Sequence, residues 1–296
     1  MHRLLSPPRW RWLIGLILLS MLTPVPAHQS DLVRYPRRTD GDEFRSVYAL
    51  AQLQLALDKA GSALRLQPSR YSMEQERALV NLEHNRHLDV AWSMTSLERE
   101  QRLLPVRIPL DKGLFGWRIA LVPAQDMQRL NDVQGLDDLR QFIAGQGHDW
   151  PDTEILRAHG LPIKVSSSYG SLFRMLQAQR FDYFPRSVLE IWDELEHPRG
   201  KHLRADEHLL IRYPTALYFF VSKQRPDLAQ TLQKGLETAL ADGSFDNLFH
   251  EHFAAQLERA QLAQRTVIEL NNPLLPAATP LQRDELWFSP ESLPQQ

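Results

Sequence analysis

Twice along this chain strand-like and helix-like segments alternate, and that alternation most limits the folds open to it. Residues 32–35 read as a short strand entering a polar loop. Leu50, Leu53, Leu57 and Ala60 then recur at helical spacing, with Gly61 as the stop. A strand at 63–66, a helix over 73–87 and a strand at 88–92 follow, and a further strand over 114–122 ends at Pro123. The pattern restarts with a strand at 141–144 and the loop Gly145-Gln146-Gly147-His148-Asp149-Trp150. The next helix opens on Pro151 and stops at Gly160. Strand 164–167, helix 171–179, strand 181–184 and helix 188–195 continue it, and 209–221 is one long extended segment. Two helices, 226–240 and 246–264, close the body. Such units in series imply an α/β protein with mainly parallel sheets, whose ligands sit beyond the C-terminal ends of strands. The loops after Tyr35, Trp92, Ala144 and Phe184 are therefore the expected ligand positions.

The two ends depart from this pattern. His2, Arg3, Arg9 and Arg11 surround the start of an apolar run from Trp12 to Leu22, and Val25 and Ala27 place small residues before a cut at Ala27/His28. That order reads as a secretory signal peptide over residues 1–27, and the run is shorter than the roughly 20 residues needed to span a bilayer. The mature protein is expected to be periplasmic. At the other end, Pro273, Pro276, Pro280, Pro290 and Pro294 rule out regular structure over 271–296, while Leu286-Trp287-Phe288 is apolar enough to dock on the body. The chain has no cysteine, which excludes disulfides, Cys-ligated zinc, iron–sulfur clusters and thiol nucleophiles. Lys and Arg number 34 against 36 Asp and Glu with no basic block, so nucleic acid is not an expected partner.

Four segments resemble one family. Asp89-Val90-Ala91-Trp92-Ser93-Met94-Thr95-Ser96-Leu97-Glu98-Arg99-Glu100, Val106-Arg107-Ile108-Pro109-Leu110, Arg180-Phe181-Asp182-Tyr183-Phe184 and Ala241-Asp242-Gly243-Ser244-Phe245 resemble, in order, stretches of the bacterial extracellular solute-binding proteins of family 3. The resemblance spans residues 32 to 255. It implies a type II periplasmic-binding-protein fold: two α/β lobes with a ligand cleft between them and a two-strand hinge. The crossings are expected near 121–123 and 213–216. Lobe one is then 28–121 plus 216–296, with the proline-rich tail packed on it, and lobe two is 122–215.

The resemblance also implies a site. Arg99 matches the arginine that clamps a ligand carboxylate, and a guanidinium fork suits that task because it makes two parallel hydrogen bonds. In lobe two, Gly145, Gln146 and Gly147 precede the Pro151 helix, where backbone N–H groups and the helix dipole are placed to receive an anion. His148 and Trp150 share that loop. Tyr35, Ser93, Thr95 and the departures Trp92 and Met94, which stand where a Gly and a Thr usually hold the ligand, complete the lobe-one wall. A bulky Trp92 offers a face to a flat ligand. Amino-acid binders place an Asp after the 180–184 strand to pair with the ligand ammonium. Here that position is Ser187, preceded by Arg186, so the expected ligand is anionic or aromatic rather than an ordinary α-amino acid. Asp40, Asp42 and Asp149 remain other sources of a carboxylate.

The expected function is capture of a small solute by a monomer for an ABC-type transporter, without cofactor. A ligand-sensing component for a membrane receptor is the alternative. An enzyme on the same fold is the weaker reading, because Ser166-Ser167-Ser168-Tyr169-Gly170 lacks the spacing of a nucleophile elbow and no acid/base pair stands out. His250 and His252 read as solvated surface.

Overall fold

The structure, a computed structural model, describes residue 2 and residues 31–37 and 46–289. The expected signal peptide, His2 apart, and the alternatives Asp40 and Asp42 lie outside the described residues. In the first lobe, β1 (Leu32–Arg37) pairs in parallel with β2 (Arg65–Ser72). α1 (Val47–Lys59) lies between them in sequence and buries Leu53, Ala56 and Leu57. α2 (Gln75–Glu83) leads into β3 (Val90–Met94), α3 (Leu97–Arg102) follows, and β4 (Leu104–Val106) comes next. β11 (Leu217–Val221) runs antiparallel between β3 and β4, and all five of its residues are buried. α8 (Pro226–Ala241) packs on α1 backbone to backbone. A Cβ at Gly235 would fall 1.8 Å from the Ala56 carbonyl oxygen, so only glycine permits the contact.

β5 (Trp117–Pro123) is the hub of the second lobe. β6 (Ala144–Gly147) and β7 (Ile163–Ser166) pair in parallel, with α4 (Leu136–Leu139), α5 (Pro151–Ala158) and α6 (Tyr169–Gln177) around them. β8 (Phe184–Ser187), β9 (Leu203–Ala205) and β10 (Leu209–Arg212) each pair antiparallel with β5, and α7 (Ile191–Glu196) follows β8. The sheets are therefore mixed, not mainly parallel. The long segment at 209–221 splits into β10 in one lobe and β11 in the other, and together with β5, which runs antiparallel to β8 and β9, it breaks the parallel pattern.

β10 and β11 belong to different sheets, so the chain passes between them at 213–216. β5 lies wholly in the second sheet, and Pro123 pairs with Leu203 instead of ending a crossing. The first passage is the stretch 107–116 between β4 and β5. Gly116 marks it: its carbonyl accepts from Tyr213 N at 3.0 Å, and a Cβ there would lie 2.0 Å from the Tyr213 carbonyl oxygen.

The C-terminal third also departs from the expected division. α9 (Ser244–Ala260) places Phe249, Phe253 and Leu257 in a cluster with Phe173, Phe184 and Trp192 of the second lobe. β12 (Thr266–Glu269) then pairs with β10. The tail returns across the hinge and is not confined to lobe one. Leu286 enters the first-lobe core, Phe288 joins the second-lobe cluster, and Phe288 N donates to the Lys112 carbonyl at 2.9 Å.

Candidate functional site

Ser96 caps α3 by accepting from Arg99 N at 3.2 Å, which turns this short helix back under β3. The Arg99 guanidinium is thereby buried at the end of β3. Nη1 donates to Ser93 Oγ (2.6 Å) and to the Met94 carbonyl (2.9 Å), and Nη2 donates to the Asp149 carbonyl (3.1 Å) of the second lobe. Arg99 and the 145–150 loop thus face one another. All three acceptors are neutral, and among the described residues no carboxylate is ion-paired with Arg99. Burial pulls its pKa down, opposed at longer range by Glu76, Asp149, Asp152 and Glu98. Thr95 turns elsewhere: its hydroxyl donates to Glu100 Oε1 at 2.7 Å and its N–H to the Ala216 carbonyl of the crossing.

The glycines of the opposing loop do not form an anion cradle. Gly145, Gln146 and Gly147 are strand residues of β6, three residues later than the expected strand. Gly145 N bonds to the Tyr183 carbonyl, and His148 N to the Ser166 carbonyl. They are glycines because rings lie on them. A Cβ at Gly145 would meet Phe181 at 2.2 Å, and one at Gly147 would meet Trp150 at 2.4 Å. At the start of α5, Pro151 has no N–H and Asp152 and Glu154 already face the dipole. Lobe two therefore presents a carbonyl to Arg99, where a carboxylate receptor needs donors.

Arg186 does not carry a free charge either. It is fully buried, with Nε donating to both carboxylate oxygens of Glu194 (2.9 Å each) and Nη2 reaching Glu194 (2.7 Å) and Glu190 (2.9 Å). Burial alone would lower its pKa, but these two carboxylates hold it well above the ordinary value. The guanidinium carbon also sits 4.8 Å from the centre of the Phe184 ring and 5.0 Å from that of Trp150. Ser187 is buried beside it, donating to the Leu114 carbonyl at 3.1 Å and accepting from Leu189 N. The position that pairs with an ammonium in amino-acid binders is here part of the lobe's frame.

Arg118 and Asp152, which the sequence reading missed, form a second buried ion pair next to it. The Tyr213 hydroxyl donates to Asp152 and accepts from Arg118 Nε at 3.0 Å. Burial raises the Tyr213 pKa well above its usual value, so this hydroxyl keeps its proton. Arg118 sits inside β5 and Asp152 opens α5, so nothing in local spacing joins them.

Among the described residues, three chambers lie along the space between the lobes, besides a small gap at Glu74, Gln75, Trp150 and Tyr169. A chamber of about 220 Å³ lies over Arg99, lined by Glu76, Glu98, Asp149, Glu154, His148 and Trp150 among others. A gap of about 40 Å³ remains in the middle, between Phe115, Met94, Trp150 and the Arg118–Asp152 and Arg186–Glu190 pairs. The largest chamber, about 330 Å³, has walls from Tyr48, Trp92, Phe115, Leu217 and Phe253 and a polar edge of Gln75, Glu190, Asp193, His252 and Gln256. Tyr35 backs Trp92, ring centroids 6.4 Å apart. His252, read as surface, is half-buried against Tyr48 at 5.3 Å, and its Nδ1 bonds to the Leu248 carbonyl. Among the described residues, seven carboxylates and three arginines line these chambers. Glu76 and Glu98 pair with Arg102, Glu154 with Arg157, Asp152 with Arg118 and Glu190 with Arg186, while Asp149 and Asp193 make no arginine pair among the described residues.

Among solved structures, an ancestral arginine-binding protein bound to arginine matches at a TM-score of 0.58 with 14% identity, over 76% of this chain and 100% of that one. The chain has the two-lobe, type II periplasmic-binding-protein fold. A putative binding component of an ABC transporter from Wolinella succinogenes, complexed with lysine, matches at 0.56 with 15% identity over 76% of this chain and 96% of that one. The VFT2 domain of BvgS from Bordetella pertussis matches at 0.58 with 14% identity over 75% and 94%. No family model and no curated protein matches the sequence. The fold agrees with the family resemblance carried by the Asp89–Glu100 stretch. No helix among the described residues is long and apolar enough to cross a membrane.

Proposed function

We propose that the mature chain is a periplasmic solute-binding protein that encloses a small solute between its lobes and delivers it to an ABC-type membrane transporter. The observation that carries this reading is the buried cleft lined from both lobes. Its inner wall joins β3 of the first lobe to the Asp149 carbonyl of the second through Arg99. Closing two lobes on a solute removes water and strengthens each polar contact inside, which is what capture at low concentration needs. Hand-over to a membrane receptor is the second reading, favoured by a histidine kinase sensor domain among the structural neighbours. No catalytic step is assigned to the cleft.

The ligand charge expected from the sequence loses its support. Arg186 is neutralised by Glu190 and Glu194, Arg118 by Asp152, and Arg99 faces a carbonyl. A dicarboxylate would find each described lining arginine already engaged by a carboxylate or a carbonyl. The aromatic alternative keeps its support, because Trp92 lines the largest chamber together with three other rings.

The reading is tested by thermal shift of the mature protein against a broad solute library, with small-angle scattering on each hit. A ligand at 100 times its Kd stabilises by about 2.7 kcal/mol, a rise of roughly 5–11 °C for a chain of this size. The expected result is at least one such hit that also contracts the particle. A library-wide absence of shift overturns the reading.

A further inference from the structure

The largest chamber differs in chemistry from the one at Arg99. Tyr48 comes from α1, Trp92 from β3, Phe115 from the first crossing and Phe253 from α9, so four separate elements each contribute a ring to one cavity. The Tyr48 and Phe253 centroids are 4.5 Å apart at 61°. The Tyr48 hydroxyl is committed to the frame, donating to the Leu110 carbonyl and accepting from Gln52 Nε2. Among the described residues, no lysine or arginine lines this chamber.

Its charged edge is α7 and the turn before it. Glu190 is shared with Arg186 and Arg118. Asp193 makes no ion pair among the described residues. Although Asp193 is exposed, its pKa is raised by partial desolvation at the chamber's edge and by the nearby Glu196, Glu194 and Glu190, an acidic surrounding that a cation would relieve. Aromatic faces carry negative charge above the ring plane, so rings plus a carboxylate edge attract an ammonium and repel a carboxylate.

Resting on the solute-binding reading above, we propose that this chamber takes an organic cation lacking a carboxylate: an ammonium group on a flat or aliphatic body, with the body among Tyr48, Trp92, Phe115 and Phe253 and the charge towards Asp193. A volume of about 330 Å³ sits at the lower end of the range for small-molecule pockets, which suits a single-ring amine and not a peptide. With carboxylates and no basic side chain among the described lining residues, the same body carrying a carboxylate is disfavoured.

Isothermal titration of the mature protein with 2-phenylethylamine, L-phenylalanine and succinate tests this directly. The amine is expected to bind at least about tenfold more tightly than L-phenylalanine, and succinate more weakly still. Asp193→Asn, at an exposed position that leaves the core untouched, should weaken the amine about tenfold, and Asp193→Lys more so. Phe253→Ala should also weaken it, with circular dichroism checking that the fold survives. Tighter binding of L-phenylalanine or succinate than of the amine, or unchanged amine affinity in both Asp193 variants, overturns the inference and leaves solute capture standing. If the amine fails at millimolar concentration while other library solutes bind, the inference also falls. Failure of the whole library defeats the functional reading as well.

Discussion

Gly116→Ala should damage the hinge far more than a glycine-to-alanine exchange usually does. The added methyl would lie 2.0 Å from the Tyr213 carbonyl oxygen and 3.1 Å from Thr215 Cγ2, against roughly 3.5 Å at ordinary contact. The two crossings must therefore part, and the Tyr213 N–H to Gly116 carbonyl bond is the first casualty. Tyr213 cannot move alone, because its hydroxyl ties Arg118 to Asp152. Each orphaned buried polar group costs about 1–3 kcal/mol, so two of them amount to about 2–6 kcal/mol, or a fall in Tm of roughly 4–24 °C. Gly135→Ala is the control, since nothing lies within 4 Å of its Cβ and its φ is extended. Differential scanning calorimetry of both variants decides the matter. If Gly116→Ala melts within about 2 °C of the wild type, the close approach of the crossings at 116 and 213 is refuted.

Three further outcomes follow from the same structure. Arg186→Met leaves Glu194 buried and uncompensated, which should cost about 3–5 kcal/mol in urea unfolding, and adding Glu194→Leu should recover much of the loss. Burial raises the Asp111 pKa to about 6 despite the N–H groups of Phe115, Leu217 and Gly113. The folded state thus holds this proton more tightly than the unfolded one. Its stabilising contribution is full below about pH 4 and lost as pH rises through about 6, a change of about 2–3 kcal/mol. The difference between wild-type and Asp111→Asn stability curves should show that slope over this window. Deleting residues 271–296 removes Leu286 and Phe288 from the two cores and the Leu97 N–H to Leu274 carbonyl bond. The truncated protein should melt lower and show a larger radius of gyration in scattering, and an unchanged radius would show that the tail does not restrain the hinge.

The fold was legible wherever a local pattern and a burial pattern coincide. α1 and α8 carry apolar residues at helical spacing, and their helices stand where that spacing places them. Strand boundaries failed where glycine was read as loop. At Gly145 and Gly147 the backbone is extended and paired, and the missing side chains make room for Phe181 and Trp150. Thr266–Glu269 passed unnoticed because it is only four residues long and earns its strand state from β10, 54 or more residues earlier in sequence. Position 213–216 was recognisable as a crossing within a long extended run, whereas 107–116 contains a turn and no strand signal.

The site shows why ligand charge is harder to read than site position. Arg99 was found from a short stretch because helix α3, its Ser96 cap and β3 all lie within a dozen residues of one another. The sign of the cleft depends instead on which charges cancel. Glu190 and Glu194 stand four and eight residues after Arg186, a spacing that a helix beginning at 187 would turn only partly toward it. The chain makes a turn at Ser187–Glu190 before α7 starts, and that turn brings both carboxylates onto the guanidinium. Arg118 is neutralised by a residue 34 positions away and held by Tyr213, 95 positions away. Counting charges along the sequence sees a free Arg186 where folding pairs it with Glu190 and Glu194. What survives the cancellation is Asp193 at the edge of four rings, a feature that no single segment of the chain contains.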